Sequence, residues 1–196
     1  MLPLNRLLLL PGLLLTATVW AADMTPDGTL EGRWLLDTER SDDAAARLDD
    51  ALDDIASDLR ARPSRSPVQV RRTSRSELGD ELLAPLTLPR HDLSLAVGTD
   101  RVRFAIDGGQ DEVLFTDGRP SVADADNRGV HFAAWENGVL WVERSSDRGT
   151  RVVSSWRRTA NDLIAAYEIR NGLFDEHVTF TLVFVPAATE SAHDLR

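Results

Sequence analysis

The stretch Val130-His131-Phe132-Ala133-Ala134-Trp135-Glu136-Asn137-Gly138-Val139-Leu140-Trp141-Val142-Glu143 decides the fold. Asn137-Gly138 is the residue pair that a two-residue hairpin turn prefers, because both central positions of that turn need positive φ. The residues on either side are β-branched, aromatic or alternating, so the stretch reads as two antiparallel strands joined by the shortest practical turn. Val130, Phe132 and Ala134 share one face, with His131 pointing the opposite way.

Outward from this hairpin the same rhythm repeats. Towards the C-terminus, Val152, Ser154 and Trp156 form one alternating set, and Leu163, Ala165, Tyr167 and Ile169 form the next. The last and longest strand is expected over residues 176–185, with Val178, Phe180, Leu182 and Phe184 on one face. Towards the N-terminus, a polar loop covers residues 117–128, preceded by Val113 and Phe115, by Val102, Phe104 and Ile106, and by Leu93, Leu95 and Val97. Val68 and Val70 mark a further strand, and residues 30–37 a first one. Roughly ten short strands separated by turn residues spell an antiparallel meander. The connections are too short for parallel crossovers.

One helix is expected, over about residues 41–61. Ser41 is its N-cap candidate, Asp42 and Asp43 suit the positive end of the helix dipole, and Pro63 and Pro67 stop it. Ala45, Leu48, Leu52, Ile55 and Leu59 make one apolar stripe. The predicted fold is therefore mainly β: a barrel or strongly curved sheet, with one amphipathic helix after the first strand plugging one end or lying across an opening. A two-sheet β-sandwich is the alternative.

The N-terminus carries Arg6, an apolar run from Leu7 to Leu15, and small residues ending in Val19-Trp20-Ala21. This is the pattern of a cleaved signal peptide, with cleavage expected after Ala21 and a single domain over residues 22–196. The run falls short of the ~18 apolar residues expected of a membrane span, and Pro11-Gly12 interrupts it. The chain is thus expected in the periplasm or secreted, without stable membrane insertion.

The 196 residues include 22 basic side chains, all Arg, against 32 acidic ones, for a net charge of −10. That field repels phosphate and argues against sequence-independent nucleic-acid binding. There is no Cys, which excludes a disulfide scaffold, a thiol enzyme, Cys-ligated zinc and a lipid-bearing N-terminal Cys. The acidity is regional. Nine acids fall between Asp37 and Asp58, whereas residues 60–76 hold six arginines and no acid. This arginine segment reads either as solvated charge beside an acidic helix or as a patch for phosphate, sulfate or carboxylate on an envelope ligand. Arg71, Arg72 and Arg75 are its candidate binding residues.

No catalytic constellation emerges. His91, His131, His177 and His193 show no metal-ligand spacing and read as surface or hydrogen-bonded histidines. There is no nucleophile elbow or phosphate loop. Residues 124–129 mimic a calcium loop, but Arg128 stands where an oxygen ligand is needed and Trp135 where the bidentate Glu belongs. No cofactor or metal is expected. Trp34 and Trp156 are assigned to the core. Trp135 and Trp141 flank the hairpin turn and either pair across it or line a barrel mouth that takes an apolar or sugar ligand.

Gly32-Arg33-Trp34 on the first strand resembles the Gly-x-Trp start of lipocalin-like (calycin) barrels. The resemblance implies that Trp34, with Gly32, packs across the closed end and that a cavity holds a small apolar ligand. The helix directly after the first strand departs from the lipocalin layout. The Gly-x-Trp-x-Leu-Asp…Ser-Asp-Asp arrangement is also similar to that of uncharacterised exported bacterial proteins, which implies no activity. The functional expectation is a non-enzymatic binding protein for a small hydrophobic, amphipathic or anionic envelope ligand. The alternative is a periplasmic protein-interaction or envelope-maintenance module without a cavity. A hydrolase of an envelope polymer rests only on compartment and scattered carboxylates. An empty barrel interior favours the first reading and a filled one the second.

Overall fold

A computed structural model describes residues 30–61, 79, 82–83, 85–107, 111–122, 129–147 and 149–188. The predicted signal peptide, the predicted strand at Val68 and Val70, the arginine segment and most of the loop at 124–129 lie outside the described residues.

The strands are β1 (Gly32–Leu36), β2 (Asp92–Val97), β3 (Arg101–Ile106), β4 (Asp111–Phe115), β5 (Ser121–Val122), β6 (Val130–Glu136), β7 (Val139–Ser145), β8 (Arg151–Arg158), β9 (Leu163–Arg170) and β10 (Val178–Pro186). The helix α1 (Ala44–Ala61) follows β1. All ladders are antiparallel, in the order β4-β3-β2-β1-β10-β9-β8-β7-β6-β5. Sequential neighbours pair except β4 and β5, and β1 joins β10 through Trp34↔Pro186, Leu35↔Val185 and Leu36↔Phe184. Nine of the ten strands have five residues or more, and they wrap into one nearly closed barrel.

The decisive hairpin forms as expected. Asn137 and Gly138 take φ of 51° and 76°, which gives the two flanking strands the twist they need. Val130, Phe132 and Ala134 share a face opposite His131, as expected, and that face turns outward. Ala133 and Trp135 point inward with His131, while Val130 and Phe132 are 41% and 43% exposed. Both faces of β6 carry apolar groups, so alternation alone leaves the choice open. The large Trp135 ring and a buried partner for His131 decide it. In β4, likewise, Leu114 and Glu112 face inward and Val113 outward. The register of the hairpin, Trp135↔Leu140 and Ala134↔Trp141, puts the two tryptophans on opposite faces, so they do not pair.

The barrel has one seam, between β4 and β6, where no ladder runs. The two-residue β5, a single bridge Asp117↔Ala134, and a bond from the Phe115 amide to Ser121 Oγ (2.9 Å) hold its rim. Inside, Glu112 of β4 reaches across to β6 and β7. It accepts from Arg144 Nη2 at 2.6 Å and Nε at 3.1 Å, and lies 2.9 Å from His131 Nδ1. Glycine is required at 129, just before β6, because a Cβ there would strike the Ser145 carbonyl.

The helix starts at Ala44, three residues after the predicted cap. Asp43 is the cap: its Oδ1 accepts the Ala46 amide at 3.0 Å. Ser41 and Asp42 serve β10 instead. Past Leu36 the edge of β10 has no strand beside it, and residues 37–42 stand in for one. The Asp37 and Asp42 amides donate to Val183 and Thr181 carbonyls (both 2.9 Å). Ser41 Oγ and Asp42 Oδ2 accept the Val183 and Thr181 amides at 2.9 and 2.7 Å. An open sheet edge is thereby satisfied. Of the predicted stripe, Leu48, Leu52 and Ile55 are buried, whereas Ala45 is exposed and Ala44 and Ala51 face the barrel.

Candidate functional site

Inward side chains fill the middle of the barrel. Trp156 stands at its centre, edge-on to Phe104 (ring centroids 5.2 Å apart) and Tyr167 (5.8 Å) and stacked on Phe184 (6.2 Å), while Tyr167 stacks on Phe180 (5.0 Å). Phe104, Leu114, Leu140, Val142, Ala165 and Phe184 have no accessible surface at all. A void able to admit water would appear as surface on its lining, so none borders these residues.

The space lies under the helix. A cleft of about 710 Å³ opens between the first turns of α1, the segment 83–90 and the barrel rim. Leu36, Leu48, Leu83, Leu86, Leu88 and Leu182 are its apolar wall, and Thr38, Ser41, Asp42, Asp43 and Arg90 stand among its polar lining. The volume falls within the ~300–1,000 Å³ of small-molecule sites. Asp107, at φ 49°, fixes one wall by accepting the amides of Arg90, His91 and Asp92 at 2.7, 2.8 and 2.9 Å. Burial works against the Asp107 charge, and these three donors more than offset it, holding the carboxyl below its ordinary range. The far half of α1 rests on a separate small cluster, in which Leu52 and Ile55 meet Leu82, Leu83 and Phe174.

The polar cluster at the seam is the other chemically distinct feature. The Arg144 side chain is 2% exposed. Burial alone would raise the Glu112 carboxyl, but the His131 hydrogen bond and the Arg144 charge hold it down to about 2. With Glu112 ionised, His131 Nδ1 carries the shared proton. Burial raises the Tyr167 hydroxyl above its ordinary value. The cluster pairs its own charges internally, which suits a clamp across the seam and leaves no free cation for an anionic headgroup. Among the described residues no group of His, Asp and Glu is arranged to hold a metal.

The residues singled out in the sequence scatter. Trp34 is buried, donates from Nε1 to the Leu30 carbonyl (3.1 Å) and lies 5.3 Å under the Arg158 guanidinium. Gly32 takes φ 141°, a conformation that side chains avoid, and sits against the Trp34 ring. Trp156 is the centre of the core. Trp135 is inside the barrel, Trp141 is 42% exposed outside it, and Arg71, Arg72 and Arg75 lie outside the described residues. Of the cleft leucines, Leu48 and Leu182 belong to the predicted helix stripe and the predicted last strand, whereas Leu83, Leu86 and Leu88 passed unnoticed, although Leu82-Leu83-Ala84-Pro85-Leu86-Thr87-Leu88 is an apolar segment interrupted by a proline.

No family model and no curated protein sequence matches the chain. Solved structures do. A secretory abundant heat soluble protein from Ramazzottius varieornatus superposes with a TM-score of 0.50 at 12% identity, covering 80% of this chain and 94% of its own. Secretory abundant heat soluble protein 4 of the same organism gives 0.50 at 12% identity, covering 83% and 97%. The fold is a calycin-like barrel. Caenorhabditis elegans lipid binding protein 8 gives a TM-score of 0.49 at 14% identity, covering 84% of this chain and 99% of that one. At such identities the likeness is one of architecture. Within the calycin-like barrel, the Gly32–Trp34 start occupies the strand that closes the circle against β10.

Proposed function

We propose that the protein is an exported, non-enzymatic carrier of a small hydrophobic or amphipathic envelope molecule. The ligand lies in the cleft beneath α1, not in the barrel centre. The observation that carries this reading is the 710 Å³ cleft walled by six leucines. Leu36, Leu83, Leu86 and Leu88 stay partly exposed, and leaving that apolar surface wet costs roughly 25 cal/mol per Å² unless a ligand covers it. The signal-like leader supports a periplasmic or secreted location, and no described helix is long and apolar enough to cross a membrane.

The test uses the purified, delipidated protein and 11-(dansylamino)undecanoic acid as a fluorescent probe. Saturable, blue-shifted emission with a micromolar Kd is expected. It should weaken at least about tenfold when Leu86→Trp fills the cleft, with Tm maintained. Absence of saturable binding, or binding indifferent to Leu86→Trp, would refute the cleft as the site. The packed interior favours one competing reading, a periplasmic docking module without a ligand. That reading predicts no probe binding and a specific partner in periplasmic crosslinks.

A further inference from the structure

The outer face of β7–β10 carries a trough of about 230 Å³ that is separate from the cleft under α1. The ladders Trp141↔Ser155, Ser155↔Ala166 and Ala166↔Thr181 set four residues in one row across four strands. At 4.7–4.9 Å per strand the row is about 14 Å long. Three small side chains make its floor, and the exposed Trp141 ring stands at one end. Arg157 and Ile164, paired across β8 and β9, form one bank.

Charge marks the occupant. On the opposite bank, Glu143 is paired with Arg151, and Glu168 with Arg170 and His177. The Arg157 guanidinium, by contrast, has no hydrogen-bond or ion-pair partner among the described residues. Glu136 stands beyond Val139, two strands away, or about 10 Å. A net acidic protein thus keeps one unneutralised cation beside an aromatic plane and two hydroxyls. The strands beneath are paired with their neighbours, and the outer backbone groups of Thr181 and Val183 on β10 are taken up by residues 37–42, so a peptide laid across them finds no free backbone groups to bond. A ring with an apolar face, hydroxyls on its rim and a negative charge meets all the groups present. The geometry points to an acidic-sugar site: an oligouronide whose ring stacks on Trp141, whose carboxylate pairs with Arg157, and whose hydroxyls reach Ser155 and Thr181.

The trough is smaller than drug-sized pockets, so the expected Kd is millimolar. The probe is trigalacturonic acid, followed through the Trp141 indole N–H resonance of the full mature protein, with maltotriose as the neutral control. A saturable shift is expected, with maltotriose and the Arg157→Gln variant each at least about tenfold weaker. Trp141→Ala should abolish the saturation transfer seen from protein to sugar. Both side chains are on the surface, so unchanged Tm values establish that the variants fold. Three results overturn the assignment: no saturation by about 10 mM, equal affinity in Arg157→Gln, or a tri-aspartate peptide moving the same resonance equally well. None of them bears on the dansyl-probe result, which reads different residues.

Discussion

Glu112→Gln is the sharpest test of how the barrel is closed. The substitution keeps the side chain's shape but leaves the Arg144 guanidinium, 2% exposed, without its counter-charge. Removing one partner of a buried ion pair costs about 3–5 kcal/mol. The titration of Glu112 gives a second route to the size. Its carboxyl is lowered from an ordinary 4.5 to about 2, equivalent to about 3 kcal/mol of stabilisation at neutral pH. The agreement of the two routes matters, because domains are stable by only about 5–15 kcal/mol. A folded-state value below the unfolded one means that the contribution is complete above pH 4.5 and is lost as pH falls from 4.5 towards 2. Urea denaturation of both proteins from pH 7 to pH 2 supplies the measurement. Wild type should exceed Glu112→Gln by about 3 kcal/mol at pH 7, with the gap closing below pH 4.5. Other lowered carboxyls, such as Asp107, titrate alike in both proteins and cancel in the difference. The double change Glu112→Leu with Arg144→Met should recover most of the loss, since no charge is then buried unpaired. A gap under about 1 kcal/mol at pH 7, or one that persists at pH 2, would refute the clamp.

Other substitutions probe the elements that hold α1 and the core. Asp43→Ala should cost about 1 kcal/mol in chemical denaturation by removing the helix cap, whereas Ser41→Ala should instead speed amide hydrogen exchange at Val183, whose N–H it accepts. Trp156→Ala should cost about 3–5 kcal/mol, because its ring touches those of Phe104, Tyr167 and Phe184. A Tm shift of only a degree or two would show that the barrel centre is looser than its burial implies.

The legibility of the chain follows its chemistry. Strands whose two faces differ sharply, such as β9 and β10, had their inward residues predicted correctly: Leu163, Ala165, Tyr167 and Ile169, then Val178, Phe180, Leu182 and Phe184. Beside the seam, the alternation left the inward face open. In β6 and β4 apolar residues occupy both faces, and the inward choice depends on Glu112 meeting His131 and Arg144 from strands distant in sequence. The acidic start of the helix misled in a related way. Ser, Asp and Asp all favour an N-cap, but only contact with β10 shows that two of the three serve a sheet edge. The cleft was hidden because its walls come from β1, α1, the 83–90 segment and β10, which no local pattern brings together.

Local propensity, acting over a few residues at a time, let the sequence by itself determine an antiparallel meander, one helix after the first strand, and the Asn137-Gly138 turn. Which faces turn inward at the seam, whether the barrel is full, and where apolar space remains depend on side-chain volumes and charges meeting across strands far apart in the chain. Those were decided only by the tertiary structure. It packs the centre around Trp156, clamps the seam with Glu112 and Arg144, and leaves the open space beneath α1.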